Sequence, residues 1–278
     1  MGVVLALVSS LMWGTADFFG GTLSRRLPAM AVVLGSQVCA GVLIIAVAIV
    51  THSWGGSLAY LPWGIAAGVT GLTALILFYA ALASGTMGIV SPIAALGVLV
   101  PLSVGLLTGQ LPSGGQYLGI ALALVGIVLA SGPELSGAAS AKPVFMAIAS
   151  AVGFGVCLAF IAEGSKTNVI MTMTTMRGVS IVITVVAVVA LRSTGGIKRR
   201  DLPMLAMVGG MDVFANVAYG AATQMALLPV VAMLGCIYPV VTVLLAWRLL
   251  HERLARVQYA GVAVALLGVA LISVFGAL

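Results

Sequence analysis

From its second residue onward the chain is divided into stretches of about twenty apolar residues separated by short turns. A helix of about twenty residues crosses the roughly 30 Å of hydrocarbon in a bilayer. Lipid offers no hydrogen bonds, so each backbone polar group must be satisfied within the chain, which excludes open sheets. Barrel strands need only about ten residues of strict alternation, a pattern these runs lack. Charged residues make up 6% of the chain and hydrophobic residues 62%. Soluble domains carry about 25% charged residues, and a water-soluble fold could not cover its surface with so few. The 35 glycines fit the same reading. Small residues let membrane helices approach closely where lipid provides no hydrophobic drive for association.

The spacing predicts an all-α membrane protein with ten transmembrane helices. They fall at about 2–23, 29–50, 60–83, 86–108, 115–132, 143–163, 169–191, 202–223, 226–249 and 256–276. Pro28, Pro62, Pro112, Pro143 and Pro203 lie at or just before span starts, where the first helical amides lack partners anyway. The first span has no basic region before it, and Arg25-Arg26 follows in place of a small-residue cleavage site. It reads as a retained helix and not as a signal peptide.

The second half repeats the first with a shift of about 141 residues. Ser9, Trp13 and Gly14 correspond to Ser150, Phe154 and Gly155; Leu61-Pro62 to Leu202-Pro203; Gly68 to Gly209; Ala80-Ala81 to Ala221-Ala222. With one further residue of shift, Gln116-Tyr117, Gly119, Gly126 and Ser131 correspond to Gln258-Tyr259, Gly261, Gly268 and Ser273. The expected units are a first five-helix repeat over 1–138 and a second over 139–278. Five spans is an odd number, so the second copy is expected upside down, the inverted repeat that recurs in secondary transporters. The charges agree. Arg25 and Arg26 in the first turn face only Lys166 in its counterpart. The turn after span two has no Lys or Arg, whereas its counterpart has Arg192, Lys198, Arg199 and Arg200. Adding Lys142, Arg248, Arg253 and Arg256, one side collects nearly all the basic residues, which places that side in the cytoplasm and both termini outside.

Chemistry-bearing motifs are sparse. Cys39, Cys157 and Cys236 each sit in an apolar run without a partner at metal or redox spacing, and read as small buried hydrophobes. His52 and His251 fall at helix ends, and HExxH, GxxxxGK[ST] and GxSxG are absent. No cofactor or metal is expected, and no enzyme activity. The net charge of +6 lies mostly in turns and speaks to membrane orientation, not to nucleic acid.

Three features together resemble the EamA-like transporters of the drug/metabolite transporter superfamily. They are LMWGTADFFGG in span one, the repeat of five spans, and HERLARVQYAGVAVALLGVALIS at the end, where an acidic residue closes the fourth helix of a repeat and a Gly-rich helix follows. Two positions depart from that pattern. Gln110 stands where the second repeat has Glu252, and Gly97 stands opposite Pro239, with Pro101 displaced. The resemblance implies export or exchange of small metabolites or drugs through a cavity between the repeats, with helices five and ten peripheral. It also implies cytoplasmic termini in a cell (inner) membrane, against the charge count.

A charge at mid-membrane costs at least about 2.5–3.5 kcal/mol, so each one needs a reason. At about 1.5 Å per residue, Asp17 lies about 22 Å and Arg177 about 13 Å from the terminus side, and Asp212 about 15 Å from the other. Trp13 and Asp17 share a helix face with Ser9 or Ser10. Asp212, Asn216, Tyr219 and Thr223 form a polar stripe, which cannot face lipid. Trp13, Asp17, Arg177, Asp212, Asn216 and Tyr219 are therefore the candidates for substrate binding or coupling. The competing reading is a fixed Asp–Arg pair that only orders the bundle. Arg177 can pair with either aspartate, and Asp17 or Asp212 can carry a coupling proton. Phe78, Tyr79 and Tyr238 read equally as cavity wall or core, and Glu163 and Glu252 as interfacial ion pairs. Gly119, Ala123, Gly126 and Ala130, with Gly261, Ala265 and Gly268, read as packing surfaces.

The sequence thus points to a secondary transporter whose partners are a small-molecule substrate, the lipid bilayer and a coupling proton or ion. A channel- or scramblase-like pore and a non-transporting membrane interaction protein are the alternatives.

Overall fold

In a computed structural model the chain is described over residues 1–24, 26–84, 90, 93–130, 141–192, 195–249 and 255–275. Arg25, Ser131, His251, Glu252 and Arg253, on which parts of the charge, repeat and motif readings fall, lie outside the described residues. Regular structure among the described residues is helical throughout. We number the helices α1 (Gly2–Ser24), α2 (Ala29–Val50), α3 (Leu61–Ser84), α4 (Ile93–Leu107, in which Leu96–Val98 is a 3-10 turn), α5 (Gly114–Ala130), α6 (Ala141–Ser165), α7 (Val169–Leu191), α8 (Leu202–Ala222), α9 (Leu228–Gly235), α10 (Tyr238–Leu249) and α11 (Arg256–Phe275).

Eight spans among the described residues are long and apolar enough to cross a membrane, with α9 and α10 together forming one of them. Two further apolar helices, α4 and α5, are shorter. The ninth span is expected as one helix over 226–249, and the structure corrects this: α9 ends at Gly235, Cys236 caps it, and α10 begins at Tyr238. Pro239 is the physical reason. It has no amide hydrogen to give the Gly235 carbonyl, and its ring crowds that carbonyl. Pro101 has the same relation to Gly97, which lies in the 3-10 turn of α4. The fourth element of each half is therefore irregular at the same place.

Packing pairs elements across the halves. α1 lies on α8 and α3 on α6; α2 lies on α7, α4 on α9, and α5 on α11. Exchanging the halves maps this set of pairings onto itself, and the shift of about 141 residues holds down to single contacts. Gly14 abuts the Tyr238 carbonyl as Gly155 abuts the Gly97 carbonyl. The rings of Trp13 and Tyr219 are 5.7 Å apart, and those of Phe154 and Phe78 are 5.9 Å apart. α5 and α11 run antiparallel, with Gly119 beside Ile272, Gly126 beside Ala265, and Ala130 beside Gly261.

The turns sort to two ends. Ala31, just after the first turn, lies under Gly195 of the turn before α8, and Leu27 packs with Ile197 and Leu205. At the other end Asn168 Nδ2 donates to the Ser53 carbonyl at 3.3 Å, joining the turn before α3 to the turn before α7. Asn168 also caps α7, accepting from the Met171 amide at 3.0 Å. Corresponding turns of the two halves thus emerge at opposite ends.

The small-residue seam between α5 and α11 is fully closed, with Ala123, Ala130 and Ala265 all 0% exposed. Backbone of α11 occupies the space that a side chain at Gly126 would need. Gly126→Leu is expected to lower the unfolding temperature of the detergent-solubilised protein, at a cost of about 1–3 kcal/mol. Gly21→Ala, where no atom lies within 4 Å of the added carbon, should leave it unchanged or slightly raised.

Candidate functional site

The paired packing leaves a cavity where α1, α2, α3, α4, α6, α7, α8 and the α9–α10 break converge. Its empty space, counting the open mouth, is about 810 Å³. Both irregular segments reach it: Gly97 and Val98 from the 3-10 turn, Cys236 and Tyr238 from the break. Backbone that leaves the helix at membrane depth is tolerated where it is buried in protein or lines a cavity, since lipid could not satisfy it.

Five of the six candidate residues line the cavity: Trp13 and Asp17 from α1, Arg177 from α7, and Asp212 and Asn216 from α8. Tyr219 is not in the lining. It is 0% exposed and stands behind Trp13, ring against ring. The polar stripe of α8 therefore divides. Asn216 Nδ2 donates to the Asp212 carbonyl at 2.6 Å and to its carboxylate at 3.1 Å, facing the cavity. Thr223 donates to the Gly220 carbonyl at the helix end.

Arg177 is 2% exposed and sits between α2 and α8. Its Nη2 lies 2.7 Å from Asp212 Oδ2. Its Nη1 donates to Gln37 Oε1, and Gln37 Nε2 donates to Asp212 Oδ2 at 3.3 Å. The triangle ties three helices from both halves and neutralises the arginine. Asp17 is different. Among the described residues it has no ion-pair or hydrogen-bond partner, although it faces the same cavity and is partly exposed to it.

Gln37 was not among the candidate residues. The available signal was a lone amide in α2, beside Ser36 and otherwise among apolar residues, which a search for charges passes over. Phe78 and Tyr238 are wall residues, and Phe154 joins them; Tyr79 is buried beside Leu72, Val33 and Leu34. Cys157 and Cys236 also reach the wall, with the Cys157 thiol donating to the Ala67 carbonyl at 3.4 Å. Away from the cavity, Glu163 pairs with Lys166 at 2.6 Å on an exposed helix end. Gln110, at the position where the second half has Glu252, accepts from the Leu228 amide at 2.7 Å and so caps α9. No group of three or more metal-ligating side chains exists among the described residues.

These features define a class: a multi-pass helical membrane protein with an ionic cavity where its halves meet. The profile of the EamA-like transporter family matches residues 1–132 and again residues 141–274. The chain belongs to the EamA-like transporter family, within the drug/metabolite transporter superfamily, a family of transporters and not of enzymes. A solved crystal structure described only as that of a protein is similar over 99% of this chain and 96% of its own. Its TM-score is 0.79 at 16% identity, which shows the likeness of fold. No curated protein sequence matches the chain.

Removing one partner of a buried pair leaves an uncompensated charge and costs about 3–5 kcal/mol, whereas replacing both partners by apolar residues is often neutral. Asp212→Leu is therefore expected to destabilise the purified protein strongly in thermal unfolding. The double variant Arg177→Leu with Asp212→Leu should recover most of the loss. Additive losses in the double variant would mean that the two side chains are not coupled.

Proposed function

We propose that the chain is a secondary transporter that moves small metabolites or drugs, as exporter or exchanger, by alternating access through the cavity. The observation that carries the reading is the cavity itself, an ionic hollow at membrane depth walled by both halves and by two helix irregularities. A static pair needs no hollow beside it. Discontinuous helices at such a site are a recurring transporter design.

The proposed architecture is two inverted five-helix repeats, 1–138 and 139–278. The antiparallel α5–α11 seam, the exchange-symmetric packing and the emergence of corresponding turns at opposite ends support it. The short spans α4 and α5 count as membrane crossings in this scheme. We place the protein in a cell (inner) membrane with its basic end, which carries Arg26, Lys142, Lys198, Arg199 and Arg200, in the cytoplasm. Single cysteines replacing Arg26 and Lys166, in a background lacking the three native cysteines, are expected to react with an impermeant thiol reagent from opposite sides of the membrane. Reaction of both from one side would sink the inverted arrangement.

Energy would come from a gradient. Asp17 and Asp212 are the two carboxylates in the cavity among the described residues, and Asp17 is free to take a proton in exchange for cargo, because the other is held by Arg177. Purified protein screened for binding of amino acids, nucleosides, sugars and organic cations supplies the cargo for a proteoliposome assay. Counterflow and saturable flux are the expected results; flux that neither saturates nor shows counterflow would identify a pore instead. Asp17→Asn is expected to lose acceleration by a pH gradient, and any counterflow it retains should need higher cargo concentrations. Unchanged acceleration in both Asp17→Asn and Asp212→Asn would remove the proton from the scheme.

A further inference from the structure

Among the described residues, one basic and two acidic side chains line the cavity, so an ion pair accounts for only two of the three. Arg177 and Asp212 neutralise each other at 2.7 Å, and Gln37 bridges them. Asn216 occupies the other oxygen of Asp212. That leaves the carboxylate of Asp17 with no described partner in a wall that is otherwise apolar and aromatic. A carboxylate at membrane depth without a counter-ion or hydrogen bonds is expensive, so the site is complete only when something positive, a proton or a cation, arrives.

The rest of the wall narrows what that is. Trp13 lies one helical turn before Asp17 on the same face of α1, and Phe78, Phe154 and Tyr238 also line the hollow. Aromatic faces attract cations and bury apolar bodies. An anion would meet the unpaired carboxylate, while the guanidinium that could receive it has Nη2 turned to Asp212 and Nη1 to Gln37, with only its buried Nε lacking a partner among the described residues. A neutral solute could offer Asp17 hydrogen bonds but no counter-charge. We propose that the cavity selects an organic monocation with an apolar or aromatic body, its positive centre against Asp17 and its body between Trp13, Phe78, Phe154 and Tyr238. The proposal deepens the transporter reading by naming the cargo class, and rests on that reading only in taking the cavity as the cargo site. Cargo and proton then compete for one carboxylate, which links this assignment to exchange.

The test separates charge from shape with three probes of nearly one outline. They are benzyltrimethylammonium, its uncharged carbon isostere neopentylbenzene, and the anion phenylmethanesulfonate. Binding to the full-length protein in lipid nanodiscs is measured by equilibrium dialysis, with empty nanodiscs giving the lipid background. The expected result is saturable binding of the cation alone. Asp17→Asn should weaken it about tenfold or more, the loss of one charge-assisted contact, while Asp17→Glu retains most of it. Thermal unfolding of both variants shows that the fold is kept. Lower pH should weaken the cation in the native protein and leave the residual binding of Asp17→Asn unchanged. Equal binding of the isostere or the anion, absence of cation binding, or full affinity in a folded Asp17→Asn variant would overturn the assignment. Cation binding without counterflow would instead defeat the transporter reading alone, and counterflow of other solutes without cation binding would defeat only the cargo class.

Discussion

Arg177 can stand in the middle of an apolar bundle only because Asp212 and Gln37 meet it there from two other helices. An arginine remains charged in a protein, so it cannot lower its cost by losing a proton. α2, α7 and α8 must therefore keep their register for the triangle to close. That register in turn sets where the remaining carboxylate, on α1, finds itself. With Arg177 taken by Asp212, Asp17 is left without a partner among the described residues.

Around this triangle the bundle is built from close approach. Helices in lipid gain little from hiding apolar surface, so their association depends on packing and on hydrogen bonds between them. Gly14 and Gly155 let α1 and α6 touch the carbonyls of Tyr238 and Gly97 directly. Thr242 adds a polar tie, donating to the Gly14 carbonyl at 3.0 Å. The contacts at Gly14 and Gly155 fall on the irregular fourth elements of the two halves. The same glycines that allow tight packing thus hold the irregular backbone against the cavity.

Much of this was legible in one dimension. Class and the positions of the eight long spans followed from apolar run length, because the bilayer has one thickness and one chemistry. The family followed from motif and repeat, and the profile match over both halves agrees. The packing role of the Gly and Ala series in α5 and α11 was legible because close approach demands small residues. The break at Cys236 was missed although Pro239 was noted, since a proline inside a span can bend a helix or end it. Gln37 was missed because an uncharged amide stands out far less than an aspartate in an apolar run.

What the sequence alone determined is that the chain must be helical, must cross the membrane many times and must find company for Asp17, Arg177 and Asp212, because hydrocarbon leaves a backbone or a charge no other choice. Which aspartate the arginine takes is a different kind of fact. So is whether Tyr219 faces the hollow or stands behind Trp13. A helix face is fixed by its period, but the direction in which it points depends on the neighbours that pack against it. Only the assembled bundle, bringing α2, α7 and α8 to one point, decided that Asp212 is paired while Asp17 has no partner among the described residues.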